Sequence, residues 1–355
     1  MLGPTFGVRK RREPLAWWGS CLVFLAAVAL ALGVGALLLA VQGKPALQGV
    51  AILVGSAVGS VWALEDCVIK AMPLYLCAVG VALSFRMAVW NIGAEGQFAL
   101  GAVGASWAAL TWGHWPGWAL LPAMALMAAC AGGLWAGIAA ALRGLCGASE
   151  TIVTLMLNYV GILVLEFLVF GSWKDPASFG FPMTAEFPSA AGIPAIWGTR
   201  IHWGLALCVV VGALVSLTLH GSRVGFEMTV CGHSPAAARY ARIPVVALAA
   251  ASLVGGGALA GLAGFLEVST LGRLQPSIMT GYGYTAIVVA WLAGLRPWGM
   301  ALMALFLAAV RVGLESLQLD LQVPAAFGTL VEGVLLLVVV AGGFFARYQL
   351  VRRVG

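Results

Sequence analysis

The stretch Asn91-Ile92-Gly93-Ala94-Glu95-Gly96-Gln97 places a carboxylate, two amides and two glycines inside a long apolar region. A charged residue near the centre of a bilayer costs about 3 kcal/mol even on mild insertion scales, so it usually marks a functional position. The pattern predicts two helices, 73–90 and 92–110, joined by a break at Asn91. Asn91 can cap the second helix, and Glu95 then lies in its first turn, where the helix dipole favours negative charge.

Glu95 has two interpretations at this stage. It could lie at a membrane boundary in contact with water, or it could lie at a functional break inside the protein, which we favour. The glycines of this region remove side chains, so that neighbouring helices can approach closely. They are Gly93, Gly96, Gly101 and Gly104.

The composition of the chain indicates a membrane protein. Of its 355 residues, 62% are hydrophobic and 9% are charged, and the mean hydropathy is +1.01. Soluble domains contain about 25% charged residues. No core of ordinary size could bury so much apolar surface, so the bilayer must be the solvent. The sequence therefore predicts an all-α polytopic membrane protein, with one transmembrane domain over 15–346 between tails at 1–14 and 347–355.

Apolar runs bounded by charged or Gly/Pro-rich segments predict about ten transmembrane helices. They lie near 15–41, 71–90, 91–111, 118–142, 151–171, 203–220, 245–266, 282–295, 298–316 and 327–346. A variant with eight or nine spans is the alternative, because the short segment 282–295 could be re-entrant. The apolar segment 47–64 could lie along the outer surface. Spans two to five begin outside and spans seven to ten begin inside, so an inverted repeat of two four-helix blocks is possible.

The net charge of +6 could suggest nucleic-acid binding in a soluble protein. Here the basic residues cluster at the ends of the predicted spans, which favours the positive-inside rule instead. Under the ten-span prediction the cytoplasmic side has Arg9, Lys10, Arg11, Arg12, Arg143, Arg223, Arg239, Arg242, Arg296, Arg347, Arg352 and Arg353. The outer side has Lys44, Lys70, Lys174, Arg200 and Arg273. Both termini are therefore predicted to be cytoplasmic.

Two predicted loops are long. The outer loop 172–202 contains four prolines among several aromatic residues, which argues against a regular helix and suits either an interfacial connector or a docking surface. In the inner loop 221–244, Ser234 followed by Pro235 is a helix-start signal that predicts a short helix to about Arg242. That basic helix could face lipid or insert into a partner protein.

The remaining candidate groups give weaker signals. The seven cysteines contain no Cys-x-x-Cys pair and are interpreted as small packing residues. Arg311 and Glu315 are four residues apart and can pair on one helix face. Glu166 and Glu332 receive no assigned role.

Four segments, in order, resemble the permease subunits of ABC importers for simple sugars, nucleosides and branched-chain amino acids. They are 91–97, 150–159 (ETIVTLMLNY), 232–241 (GHSPAAARYA) and 281–294, which includes GYTAI at 283–287. The resemblance spans about residues 71–340, and the chain looks like the larger of two permease subunits in nucleoside importers. It departs from the family at His233, where Asn is usual, and at Arg242, where Gly is usual.

The resemblance implies that two homologous permeases form the pathway, that a cytoplasmic ABC ATPase binds to them, and that an extracellular or periplasmic binding protein delivers the substrate. It implies a multi-pass protein of the bacterial cytoplasmic (inner) membrane. The residues expected in ATPase coupling are Gly232, Ser234, Pro235, Ala237 and Arg239. The resemblance also implies that ATP chemistry belongs to the partner, so we expect no catalytic residue, metal or cofactor in this chain. The lack of a GxxxxGK[ST] or HExxH motif is consistent with that.

The resemblance favours nucleosides as substrates, with simple sugars such as ribose as the alternative. A neutral polar solute requires hydrogen-bonding groups along its pathway, and the predicted pathway residues are Asn91, Glu95, Gln97, Asn158 and Thr285. A rival of another class is an ion-coupled secondary transporter with a carboxylate proton relay. An intramembrane enzyme is disfavoured because the spans offer few convergent catalytic groups.

Overall fold

The computed structural model describes residues 5–10 and 17–353, which form helices and one two-stranded sheet. In chain order the elements are β1 (Thr5–Lys10), α1 (Trp17–Val41), α2 (Ala46–Val58), α3 (Val61–Arg86), α4 (Ala94–Thr111), α5 (Gly117–Cys146), α6 (Glu150–Phe170), α7 (Gly204–Gly221), α8 (Arg223–His233), α9 (Pro235–Tyr240), α10 (Val245–Leu271), α11 (Tyr282–Leu292), α12 (Pro297–Leu321), α13 (Ala325–Arg347) and β2 (Tyr348–Arg353).

Among the described residues, eight helices are long and apolar enough to cross a membrane, namely α1, α3, α5, α6, α7, α10, α12 and α13. The predicted count of ten is therefore not confirmed. The two remaining predicted spans correspond to α4 and α11. In α4 polar residues and glycines lower the mean hydropathy, and α11 has only 11 residues. A helix of 11 residues is about 16 Å long, roughly half the thickness of the hydrocarbon core.

The helix boundaries around the 91–97 stretch differ from the prediction. α3 begins at Val61 instead of residue 71 and ends at Arg86 instead of residue 90. The sequence predicted a break at a single residue, Asn91. The structure instead has a non-helical segment over 87–93, which we call the break. The apolar segment 47–64 divides between α2 and the first turn of α3.

The chain divides into two compact units, Met1–Leu64 with Ala309–Gly355, and Glu65–Ala308. In the first unit α1 packs against α13 and α2, and β1 pairs antiparallel with β2 from Thr5↔Arg353 to Lys10↔Tyr348. Within the same unit, the Arg311 Nε and Nη2 atoms donate to Glu332 Oε1 at 3.0 and 2.9 Å. Arg311 therefore has an ion-pair partner on the neighbouring helix, which the predicted pairing with Glu315 did not include.

In the second unit the most extensive helix packing is among α4, α5 and α10. Small residues make this packing close, because a Cβ added at Gly101 would overlap the backbone of Gly261, and one at Gly104 would lie 2.7 Å from the Met127 carbonyl oxygen. The predicted role of these glycines in close helix approach is confirmed. α4 is consequently buried along most of its length.

The outer loop 172–202 has no α-helix, as its prolines predict, and contains one 3₁₀ turn at Ser189–Ala191. It is attached to the segment after α10, since the Thr184 N–H donates to the Leu274 carbonyl at 3.0 Å and the Phe187 N–H donates to the Gly272 carbonyl at 2.8 Å. At its end, His202 Nδ1 accepts from the Gly204 N–H at 3.1 Å, and burial lowers the pKa of His202, which favours the neutral ring.

Candidate transport site

The break begins with a tight turn at the end of α3. The N–H groups of Met87 and Val89 both donate to the Ser84 carbonyl at 3.1 Å. Ala88, between them, has a φ of 55°, in the left-handed region. A right-handed helix cannot continue through a residue in this conformation, so α3 ends just before it. The chain therefore leaves α3 before the polar motif is reached.

Asn91 and Gln97 hold the start of α4 by a reciprocal amide pair. Asn91 Nδ2 donates to Gln97 Oε1 at 3.1 Å, and Gln97 Nε2 donates to Asn91 Oδ1 at 3.0 Å. Asn91 Oδ1 also accepts from the Gly93 N–H at 3.0 Å. The prediction that Asn91 caps α4 is wrong, because the N-cap position is Gly93. The Asn91 side chain instead closes the turn that precedes the cap.

Two side chains of α6 bind the backbone of the break. Thr154 Oγ1 accepts from the Ile92 N–H at 3.1 Å, and Asn158 Nδ2 donates to the Ile92 carbonyl at 2.7 Å. Asn158 Oδ1 also accepts from the Gly96 N–H at 2.8 Å. Asn158 was predicted from the sequence and Thr154 was missed. Their spacing of four residues, which places both on one face of α6, was the available signal.

Glu95 joins the start of α4 to the start of α11. Its Oε1 accepts from the Gly281 N–H at 3.0 Å and its Oε2 accepts from the Gly283 N–H at 2.6 Å. The carboxylate therefore lies at the positive end of both helix dipoles, where negative charge is stabilised. Only 2% of Glu95 is exposed, so its carboxylate is buried within the protein.

Two glycines allow these backbones to meet. A Cβ added at Gly96 would lie 2.8 Å from the Leu157 carbonyl oxygen and 2.9 Å from Asn158 Cα, both on α6. A Cβ added at Gly283 would overlap the backbone of Glu95. Gly93 is also confined, with Gln97 Nε2 at 2.9 Å from the position of an added Cβ. Gly93 and Gly96 therefore lie where the chain at the start of α4 comes close to α6.

The residues predicted for the pathway are all buried in this region. Their exposed fractions are 0% for Asn91, 2% for Glu95, 1% for Gln97, 0% for Asn158 and 5% for Thr285. The hydrogen bonds described above connect Asn91, Glu95, Gln97 and Asn158 to one another or to the backbone of the break, α4 and the start of α11. We call this set the polar junction. Its direct role is to hold three non-adjacent segments of the chain together.

Three aromatic residues beside the polar junction were missed by the sequence analysis. Tyr284 accepts a hydrogen bond from Asn158 Nδ2 at 3.3 Å and is 38% exposed. Trp90, within the break, and Trp291, near the end of α11, have their rings stacked. Trp90 directly precedes the polar motif, which was the only local signal. Its proximity to Trp291 depends on the tertiary structure.

The coupling segment 221–244 forms two helices, α8 and α9, of which only the second was predicted. Ser234 caps α9 by accepting from the Ala237 N–H at 3.3 Å, as its sequence predicts. The helix ends at Tyr240 instead of Arg242. Arg242 has φ 56°, a conformation that favours glycine, in accordance with the residue that the family resemblance leads one to expect there.

The predicted coupling residues divide into an exposed set and a packing set. Pro235, Ala237 and Arg239 are exposed and Ser234 is partly buried. A Cβ added at Gly232 would overlap the carbonyl oxygen of Arg86 at the end of α3. The segment thus presents one side of α9 outward and packs at Gly232 against the beginning of the break.

Further contacts join the coupling segment to the break. Arg86 Nε donates to Thr229 Oγ1 of α8 at 3.2 Å. Met87 and Val89 are buried in one hydrophobic cluster with residues of α8 and α9, namely Met228, Cys231 and Ala238. A displacement of α9 would therefore act on the segment that carries Trp90 and Asn91.

A partly buried break and a half-length helix among apolar helices are features of multi-pass membrane transport proteins, in which interrupted helices border the transport pathway. The chain belongs to the family described as the permease component of branched-chain amino acid transport systems, whose family model matches residues 63–340. The resemblance found in the sequence is confirmed.

Three relatives are similar along most of this chain. A glucose ABC transporter permease of Haloferax volcanii is 31% identical and covers 96% of this chain and 92% of the relative. A guanosine ABC transporter permease of Bacillus subtilis is 28% identical over 90% and 92% of the two chains. A nucleoside ABC transporter permease of Lactococcus lactis is 26% identical over 84% and 85%.

Proposed function

We propose that this chain is a permease subunit that imports nucleosides across a bacterial cytoplasmic membrane as part of an ATP-driven ABC importer. The observation that carries the proposal is the polar junction, in which the 91–97 motif, α6 and α11 hold an interrupted helix inside a family permease. Two of the three relatives described above are named for guanosine or nucleosides. That agrees with the branch of the family suggested by the motif.

The proposed importer needs three partners. An ABC ATPase binds the exposed side of α9, which presents Ala237 and Arg239. A substrate-binding protein docks on the opposite side of the membrane, and a second homologous permease completes the pathway. ATP hydrolysis belongs to the ATPase, so this chain acts as a transport subunit and not as an enzyme.

Coupling between ATP hydrolysis and transport passes through the break. The side chains of Met87 and Val89 pack with α8 and α9, while Asn91 and Glu95 are bonded to the start of α4 and to α11. Movement of α9 with the ATPase would shift one end of the break relative to its other end. This contact chain supports a mechanical link, because packed elements transmit displacement when they move as units.

Sugar import is the second candidate, favoured by the 31% identity to a glucose permease. An ion-coupled secondary transporter is less consistent with the geometry. Both Glu95 oxygens accept backbone N–H groups of the segment that begins α11, so the carboxyl group serves as a fixed link between two helices. A proton relay needs a carboxyl group that can exchange its hydrogen-bond partners.

We further propose that both chain termini and α9 face the cytoplasm. The pairing of β1 with β2 brings the two terminal segments together, in accordance with an even number of crossings. Cysteine introduced at Asp175 or Ser189 should react with an impermeant thiol reagent in intact cells, in a background whose native cysteines are replaced. Cysteine at Ser234 should react only after lysis, and its labelling in intact cells would contradict this orientation.

Uptake of labelled substrates tests the transport proposal. Cells that express the complete importer should accumulate adenosine and uridine, and deletion of this subunit should abolish that uptake. Labelled ribose and glucose serve as parallel substrates. Loss of sugar uptake alone, with nucleoside uptake unchanged, would assign the chain to the sugar branch.

A further inference from the structure

An aromatic cluster lies at the junction of α3, the break and α11. The ring centroids of Trp90 and Trp291 are 5.7 Å apart with an interplanar angle of 22°, so the two indoles are stacked. Phe85, in the last turn of α3, lies 5.1 Å from Trp90 and 6.1 Å from Trp291. These spacings fall within the range at which aromatic rings attract one another.

The three rings differ in how much surface they expose. Phe85 is 9% exposed and forms the buried base of the cluster. Trp90 and Trp291 are 45% and 42% exposed, so each indole keeps a large part of its surface free of contacts within this chain. The exposed side of α11 continues from Trp291 to Tyr284, which contacts the polar junction through Asn158.

The polar junction determines the positions of both indoles. Trp90 precedes Asn91, whose side chain is hydrogen-bonded to Gln97 and to the Gly93 N–H. Trp291 lies on α11, whose first turn is held by the Glu95 carboxylate. A site preorganised in this way loses less entropy when it binds a ligand than a flexible one does.

We propose that Trp90 and Trp291 form a stacking site for the base of a nucleoside on its way through the permease. Aromatic side chains bind nucleobases through their π-faces and tolerate differences between bases, as a pathway for several nucleosides requires. Lipid and a second permease are the other possible occupants of this surface. The nucleoside is favoured because Tyr284, which is 38% exposed and lies on the same side of α11 as Trp291, bonds to the Asn158 amide. Hydrogen-bonding groups beside exposed rings suit a base that carries a sugar better than they suit an acyl chain.

This inference rests on the proposed import of nucleosides. Its test can fail without refuting that import. In cells expressing the complete importer, Trp90→Ala and Trp291→Ala should each lower the initial rate of adenosine uptake about tenfold, as expected for the loss of one stacking contact. Uridine uptake should fall less, because a pyrimidine has a smaller stacking surface. Trp90→Phe and Trp291→Phe should retain most uptake of both substrates.

Trp118→Ala is the matched control, because Trp118 is 81% exposed on α5 and belongs to no part of the polar junction. It should leave both rates unchanged. An equal fall for adenosine and uridine, or undiminished uptake of both, would overturn the stacking site while leaving nucleoside import intact. Loss of the second permease on co-purification of the alanine variants would instead assign the indoles to a subunit contact. A wild-type importer that carries no nucleoside would refute the proposed function itself.

Discussion

Replacement of Glu95 by leucine is expected to abolish transport, whereas Glu95→Gln should retain part of it. Leucine leaves the Gly281 and Gly283 N–H groups without their carboxylate acceptor at a buried position. Each unsatisfied buried group costs about 1–3 kcal/mol, so the start of α11 should detach from α4. Glutamine keeps the shape and one acceptor oxygen. Uptake rates normalised to the amount of permease in the membrane will measure the difference.

Gly96→Leu provides an independent test of the same junction without any change of charge. A leucine side chain cannot fit where an added Cβ already lies 2.8 Å from the Leu157 carbonyl oxygen, so transport should fall as far as in Glu95→Leu. If Glu95→Gln alone abolished uptake while Gly96→Leu had no effect, the carboxylate would be acting as a proton carrier. The structural role of Glu95 would then be rejected.

Substitutions on the exposed side of α9 are expected to separate the permease from its ATPase. Ala237→Asp adds a charge to an exposed helix surface, and Arg239→Glu reverses one. A helix inserted in a partner cleft tolerates neither, because the contact is complementary in shape and charge. Both variants should fold normally but recover less than about a tenth of the ATPase on co-purification, since each 1.4 kcal/mol of lost binding energy lowers affinity tenfold.

Ala238→Asp is the matched control from the opposite side of α9. Ala238 is 0% exposed and belongs to the cluster with Met87 and Val89. A buried carboxylate there should lower the stability and yield of the permease itself. ATPase recovery at the wild-type level with Ala237→Asp and Arg239→Glu would show that α9 is not the docking element.

The helical membrane fold could be predicted from the chain because its causes are local. In lipid every backbone polar group must be satisfied within the segment, so a long apolar run becomes a helix. The cap at Ser234 could be predicted as well, because capping depends only on the residues next to it in the chain. The predicted spans at α4 and α11 were not confirmed, because composition and environment diverge there. α4 is buried by α5 and α10 despite its polar residues, and α11 is held by Glu95 despite its short length.

Asn91 illustrates the limit of local rules at the site itself. Its residue type and position suggested an N-cap, but its side chain bonds to Gln97 and to the Gly93 N–H instead. The sequence analysis selected Asn91, Glu95, Gln97 and Asn158, which meet in the polar junction. It could not say which backbone groups they bond to, because Asn158 and the Ile92 carbonyl that it binds are 66 residues apart along the chain.

The sequence by itself therefore determined the membrane environment, the apolar helices, the capping of α9 and the polar residues that had to be satisfied inside the protein. Only the tertiary structure decided that Glu95 binds the N–H groups of Gly281 and Gly283, which are 186 and 188 residues distant, and that Trp90 stacks on Trp291. The physical reason is that helix formation and capping depend on neighbours within a few residues. Pairing across the chain depends on which backbones approach closely, and at this site glycines at positions 96 and 283 decide that.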